Sequence, residues 1–132
     1  MGKVESFEDL EVWVLAREIC VDVETLFETT AVGKRYSLKD QMDRSSGSIM
    51  DNIAEGFGRG GNMEFRNFMS FSRGSCTELK SQLYRAQDKN LISEMEFKSL
   101  SDKCEKEIAK ITALINFLNR SNLKGPKFKK KN

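Results

Sequence analysis

The sequence is poor in the residues on which most metal and catalytic sites depend. It has no histidine, one proline (Pro126) and three cysteines, Cys20, Cys76 and Cys104, which are far apart and form no CxxC pair. A zinc site would need all three thiols and a carboxylate, so we expect buried structural cysteines, with metal or redox roles as the alternative. We expect no cofactor and no metal.

The chain also lacks long apolar runs. None approaches the ~20 residues of a membrane-spanning helix. Acidic residues (Glu5, Glu8, Asp9 and Glu11) occupy the start of the chain, where a signal peptide would be basic and then apolar. We therefore expect a cytoplasmic protein without a membrane partner.

Charge is unevenly distributed along the 132 residues, although the net charge is only +2. The last fourteen residues contain no acid, so the rest of the chain is acidic. A basic tail on an acidic body favours a polyanionic partner or an acidic neighbouring subunit, with a merely solubilising terminus as the alternative. The tail's basic residues are Arg120, Lys124, Lys127, Lys129, Lys130 and Lys131.

Four segments repeat apolar residues at three- and four-residue steps, and none alternates as a half-buried strand would. The pattern predicts an all-α, antiparallel up-down-up-down four-helix bundle in residues 1–120 and a flexible basic tail in 121–132. The predicted helices span about 7–29, 37–57, 63–90 and 94–118.

Short signals predict where these helices begin and end. Gly33 is expected to end the first helix, and Asn62 is expected to cap the third. Three pairs have the spacing of a capping box: Ser6 with Asp9, Ser37 with Asp40, and Ser93 with Glu96.

Two features predict how the helices pack. The first helix carries two adjacent apolar stripes, which is wider than a simple two-helix contact requires. Gly47 and Gly74 lie inside the second and third helices, where glycine costs ~1 kcal/mol relative to alanine. We therefore expect these two helices to cross closely at the two glycines.

A group of charged and amide side chains is expected to lie between the second and third helices. Asn52, Glu55 and Arg59 share one helical face, and Arg73 and Glu78 lie on the facing helix. Our interpretation is a structural polar network. The alternatives are an anion site at the two arginines and acid–base catalysis by the two glutamates, which the neighbouring arginines disfavour because they hold carboxylates ionised.

A line of basic and hydroxyl side chains follows one face of the third helix. No acid of that helix interrupts the line, so it is suited to phosphate contacts, and its tyrosine could stack on a base. The alternative is an ordinary solvated face. The line comprises Arg66, Ser70, Arg73, Thr77, Lys80 and Tyr84. With Arg59 and the tail, its basic residues and Tyr84 are our candidate nucleic-acid-binding residues.

The run Asn52–Gly56, followed by Arg73–Ser75 and Glu78, resembles the signature of the four-helix-bundle family encoded within intervening sequences of bacterial 23S ribosomal RNA genes. Phe7–Leu10 and Trp13 fit the same resemblance. It implies an antiparallel four-helix bundle that assembles into a ring-like homopentamer. On each of the first two helices, one apolar stripe would then serve the core and the second would contact a neighbouring subunit. It also implies similarity to the accessory variability protein of diversity-generating retroelements, which partners a reverse transcriptase and binds nucleic acid.

Two functional hypotheses follow, and neither is an enzyme. No nucleophile–base pair is recognisable, and the glycine-rich run Gly56–Gly61 ends a helix and follows no strand, unlike a nucleotide-binding fingerprint. The first hypothesis is an oligomeric bundle that binds RNA or DNA through its basic surface and tail. The alternative is a protein adaptor or scaffold, such as an accessory subunit of a reverse transcriptase.

Overall fold

The computed structural model describes residues 4–122, and the side chains of residues 4–120. In this range the chain forms four α-helices, two short 3-10 helices and no strand, which confirms the predicted all-α class. The 3-10 helices span Phe7–Asp9 and Ala31–Lys34. The α-helices are α1 (Glu11–Thr29), α2 (Tyr36–Arg59), α3 (Asn62–Asp88) and α4 (Glu94–Asn122).

Helices that follow one another in sequence are antiparallel neighbours, and α4 returns to pack against α1. Side-chain contacts between helices establish this order, because residue numbers rise along one helix as they fall along its partner. The contacting pairs are Ser48 with Ser75, Gln41 with Arg85, Arg66 with Asn119, Arg73 with Thr112, Asp22 with Lys103, and Glu11 with Lys110.

Helix α1 buries both of its apolar stripes inside this one chain. The inner residues of the first stripe, such as Ala16 and Val23, and those of the second, such as Val12 and Ile19, are at most 4% exposed. Two stripes are needed because α1 packs against both α2 and α4. The expectation that the second stripe serves a neighbouring subunit is therefore wrong.

The first predicted helix is interrupted before α1 begins, which the sequence pattern did not predict. Residues Phe7–Asp9 form a 3-10 helix, and Leu10 is extended (φ −82°, ψ 128°) before α1 begins. The Asp9 carboxylate accepts a hydrogen bond from the Ser6 backbone N–H at 3.2 Å, so this pair caps the short helix rather than α1. Leu10 is buried in the core, which gives the break a packing reason.

Gly33 does not end α1. That helix stops at Thr29, and Gly33 lies within the following 3-10 helix. A Cβ atom at Gly33 would lie 1.8 Å from the carbonyl oxygen of Phe27, so a close backbone approach requires glycine here. Helix α2 then starts at Tyr36, and Ser37 is not its cap.

The two remaining cap predictions have opposite outcomes. Ser93 and Glu96 form the predicted capping box, with hydrogen bonds of 2.8 and 3.1 Å to each other's backbone N–H groups. Asn62 is not the cap of α3, because Gly61 holds that position. Asn62 is instead buried, and both atoms of its amide lack a hydrogen-bond partner among the described residues.

Serines, and not the predicted glycines, form the close contact in the middle of α2 and α3. A Cβ atom at Gly47 or Gly74 would meet nothing within 4 Å, so that expectation is wrong. The Ser72 hydroxyl donates to the Ile49 carbonyl at 2.7 Å.

No described helix is long and apolar enough to cross a bilayer.

Candidate nucleic-acid interface

The basic line of α3 faces the groove between α3 and α4. Three contacts across the groove fix this: Arg66 Nη1 donates to Asn119 Oδ1 at 2.8 Å, Arg73 Nη1 donates to the Thr112 hydroxyl at 2.9 Å, and Lys80 pairs with Glu105. We call this surface, with the α4 residues that touch it, the α3–α4 seam.

One half of the α3–α4 seam carries uncompensated positive charge. Residues 65–77 of α3 and 108–120 of α4 contain no acidic residue, and the antiparallel packing places these two stretches side by side. Arg66 and Arg73 therefore donate to neutral oxygens and keep their full charge. We call this region the basic half of the seam.

The other half of the α3–α4 seam is neutralised by acids that α4 contributes. The pKa of Lys80 is raised by its hydrogen bond to Glu105 of α4. Glu94 and Asp102 line the same groove, which encloses about 560 Å³. The line on α3 itself contains no acid, as predicted, but α4 places the Glu105 carboxylate against Lys80.

Tyr84 lies in this acid-lined half and not beside the arginines. Its ring is half exposed (51%) and its centroid is 4.7 Å from that of Phe97. The groove beside Tyr84 is lined by Glu94, Asp102 and Glu105 together with Lys80 and Lys98, so Tyr84 lies among charges of both signs and not on a purely basic surface.

The five residues predicted as one polar network form separate contacts. Glu55 and Arg59 make an i,i+4 ion pair at 2.8 Å, whereas the Asn52 amide donates to the backbone carbonyl of Ser48, also at 2.8 Å. Arg73 faces the other side of α3, towards α4. These side chains therefore do not fix one shared register.

Glu78 belongs to neither contact. It accepts a weak hydrogen bond (3.4 Å) from the amide of Gln82 and lines a hydroxyl-rich groove of about 520 Å³ between α2 and α3. Because Glu55 and Glu78 do not pair, the structure offers no paired carboxylates for acid–base chemistry at this position.

Arg59 is also compensated. Its hydrogen bond to Glu55 raises the pKa of the guanidinium, and the same group lies 5.1 Å from the centre of the Phe68 ring. An arginine with both a carboxylate and an aromatic partner has less to gain from a phosphate than Arg66 or Arg73.

The Asn52–Gly56 run has a structural reason at its last residue. A Cβ atom at Gly56 would lie 2.5 Å from the Cβ of Phe68, so α2 and α3 approach each other there as only glycine allows.

Residues 8–113 match the family of 23S rRNA-intervening sequence proteins. This chain belongs to that family.

A solved structure supports the fold of this family member. The crystal structure of a protein of unknown function from the S23 ribosomal protein family of Bacteroides thetaiotaomicron VPI-5482 matches with a TM-score of 0.73. The match covers 79% of this chain and 97% of that one at 19% identity, so it shows the fold alone. No curated protein matches the sequence.

Two of the three cysteines of this family member are buried, as predicted, and the third, Cys20, is half-buried. Cys76 and Cys104 are buried, and their thiols interact, so this contact and burial raise the pKa of Cys76 far above its ordinary value. Burial raises the pKa of the half-buried Cys20 to about 11, and its thiol donates to the Ser46 carbonyl. Protonated thiols are poor nucleophiles and metal ligands. No cluster of described side chains could hold a metal ion.

Glu107 is fully buried in α4, although the sequence pattern did not single it out. Neither carboxylate oxygen has a hydrogen-bond partner among the described residues. Burial raises its pKa to about 8, while the nearby charge of Lys110 acts in the opposite direction. The signal was its spacing, three residues after Cys104 and four before Ile111, which places it on the core face of the helix.

The C-terminal candidates can be located only in part. Arg120 is exposed near the end of α4, one residue after the partner of Arg66. Helix α4 continues through Asn122, two residues into the predicted tail. The five tail lysines, Lys124, Lys127, Lys129, Lys130 and Lys131, lie outside the described residues.

Proposed function

We propose that this family member is a non-enzymatic oligomer that binds RNA or DNA through the basic half of the α3–α4 seam and the C-terminal basic segment. The observation that carries the proposal is the pairing of two acid-free helix stretches around Arg66 and Arg73. Both arginines contact only neutral side-chain oxygens across the groove. Their positive charge is available to phosphates.

The mechanism is neutralisation of phosphates, with little reading of bases. A guanidinium carries five N–H donors in a planar fork, and the contacts across the seam use one nitrogen of each arginine. The remaining donors suit phosphate oxygens. Because each phosphate contact releases bound counterions, affinity should fall steeply as salt rises.

The geometry ranks the candidate residues. Arg66, Arg73 and Arg120 rank first, and the tail lysines, which lie outside the described residues, stay candidates from the sequence alone. Lys80 and Arg59 rank lower because each is already paired with a carboxylate. Tyr84 ranks last, since it lies in the acid-lined half.

We also propose that the protein is a ring-like homopentamer, which would gather several basic segments on one assembly and strengthen weak individual contacts. Since the second stripe of α1 is internal, the subunit contact needs other apolar residues. Val14 and Val21 suit it: they lie seven residues apart on α1 and are 45% and 59% exposed. Light scattering should give the mass of a pentamer, and Val21→Asp should reduce it.

The test of binding is fluorescence anisotropy with a labelled structured RNA at several salt concentrations. Replacing Arg66 and Arg73 by glutamine should weaken binding and lower the slope of log affinity against log salt by roughly 2. Arg44→Gln is the matched control, because Arg44 is exposed and paired with Asp40 on α2. Affinity that is independent of salt, or an equal loss in the control, would refute the proposal.

A second candidate function is a protein adaptor, with a reverse transcriptase as one partner. Met63 and Phe71, each 58% exposed on α3, favour it because they offer apolar surface to another protein. An assembly that binds neither RNA nor DNA at low salt, but co-purifies with a polymerase encoded by a neighbouring gene, would favour this function over the first.

A further inference from the structure

We infer that the polyanion is a double-helical RNA, held by its 2′-hydroxyl groups as well as its phosphates. This inference rests on the proposed function, and it concerns the neutral polar side chains that surround the two arginines. In the basic half these are Ser70, Thr77, Thr112, Asn116 and Asn119.

These neutral side chains lie on the same helical faces as the arginine contacts. Ser70 is four residues after Arg66 and three before Arg73, and Asn116 is four after Thr112. Residues three or four apart are neighbours on a helix surface. Ser70 and Asn116 are exposed, so a ligand that reaches the arginines meets them as well.

Their hydrogen-bonding capacity does not match phosphate alone. Thr77 donates its proton to the Arg73 carbonyl at 3.0 Å, so its oxygen faces a ligand as an acceptor. Asn119 accepts from Arg66 through Oδ1, which leaves its amide N–H groups as donors. Phosphate oxygens only accept, whereas a 2′-hydroxyl both donates and accepts. A surface of mixed donors and acceptors around arginines therefore suits RNA better than DNA.

The width of the seam points to the same ligand. Two packed helices have axes about 8–10 Å apart and span about 20 Å with their side chains. The major groove of B-DNA, at about 12 Å, admits one helix, and its minor groove is about 6 Å wide. The minor groove of an RNA helix is wide and shallow and displays the 2′-hydroxyls. A face made by α3 and α4 together fits that surface.

The position of the aromatic residues argues against single strands. Binding of single strands relies on bases stacked on aromatic rings beside a basic groove. Tyr84 is in the acid-lined half. Phe71 is two residues from Arg73 and its ring packs on Phe68, so it points around the helix away from the α3–α4 seam. Phe117 is five residues from Thr112, which also places it on another face.

The experiment compares four labelled ligands of one sequence on the full chain: an RNA duplex, a DNA duplex, a 2′-O-methyl RNA duplex and the single RNA strand. The RNA duplex should bind about tenfold more tightly than the DNA duplex, as a few added hydrogen bonds allow. The 2′-O-methyl duplex, which keeps the A-form but lacks the hydroxyl proton, should bind more weakly than the RNA duplex.

Substitution of two side chains tests which residues produce the preference for RNA. Thr77→Val together with Asn116→Ala should lower the affinity for the RNA duplex more than that for the DNA duplex, and so remove the preference for RNA. Ser81→Ala is the matched control, because Ser81 is an exposed hydroxyl on α3 beyond the basic half.

The outcomes separate this inference from the proposed function. Equal affinity for RNA and DNA duplexes, tightest binding to the single strand, or full affinity for the 2′-O-methyl duplex would overturn the inference while leaving nucleic-acid binding in place. Absence of binding to all four ligands at low salt would overturn both.

Discussion

Arg73 on α3 donates a hydrogen bond to the Thr112 hydroxyl on α4 at 2.9 Å. The bond connects the two helices without neutralising the arginine, because its acceptor is an alcohol. One side chain therefore contributes to helix packing and to the positive surface, and substitutions can separate these contributions.

Thr112→Val should separate them, since it removes the acceptor and keeps the shape and the charge of Arg73. We expect a loss of about 0.5–1.5 kcal/mol in the free energy of unfolding, the usual net value of one hydrogen bond. The salt dependence of nucleic-acid binding should stay near that of the wild type, because the charge of Arg73 is kept. Urea denaturation and anisotropy measure the two quantities, and a large loss of affinity would show that the hydrogen bond itself positions the ligand.

Glu105→Gln should strengthen nucleic-acid binding, because it frees Lys80 and removes one acid from the α3–α4 seam. The gain should be severalfold at low salt and should shrink as salt screens the charges. Glu24→Gln is a suitable control, since it removes an exposed acid from α1, on the opposite side of the bundle. If both variants gain equally, net charge and not the extended basic half is responsible.

Stability should fall with rising pH because of Glu107. Its pKa is about 8 in the folded protein and near 4.5 when the chain is unfolded, so between these values the folded state holds a proton that the unfolded state releases. The free energy of unfolding should therefore decrease as pH rises through this window, by up to about 1.4 kcal/mol per pH unit.

Glu107→Gln keeps the shape of the side chain and cannot ionise. The variant should lose this pH dependence and should exceed the wild type in stability at pH 8, as measured by urea denaturation from pH 5 to 8. Glu105→Gln is the matched control, because it removes an exposed carboxylate from the same helix. A wild-type stability that is flat across this window would contradict the prediction.

Two glycines of α2 offer a matched comparison of packing. Gly56→Ala should destabilise the protein by about 1–3 kcal/mol, because the new methyl group would overlap the Cβ of Phe68 and force the helices apart. Gly58→Ala should instead be neutral or stabilising by up to ~1 kcal/mol, since nothing lies within 4 Å of its Cβ position. Equal effects of the two substitutions on thermal unfolding would show that helix propensity alone is at work.

The helices were predictable because apolar periodicity is a local property of the chain. The charge of the α3–α4 seam could not be predicted in this way, because it depends on which helices pack together. Lys80 and Arg73 look alike along α3, and only the packing of α4 shows that one meets a carboxylate and the other an alcohol. The glycines show the same limit of prediction from sequence. Gly74 and Gly56 both lie inside helices, but only Gly56 lies close to a neighbouring helix.

Glu107 is a different kind of omission. Its period placed it in the core, but its chemistry argued for the surface, since carboxylates are rarely buried without a partner. The sequence signal was present and was outweighed by the expectation for the residue type. Periodicity was the better guide at this position.

The square arrangement of the helices places α3, with its basic half, diagonally opposite α1. Helix α1 has only one basic residue, Arg17, and its acids are Glu11, Glu18, Asp22, Glu24 and Glu28. The bundle therefore has a lateral electric dipole that a modest net charge conceals. In the electric field of a polyanion, a torque on this dipole turns the molecule before contact, so that α3 and α4 face the polyanion. Orientation during approach raises the association rate, and it weakens with ionic strength independently of the contacts made afterwards.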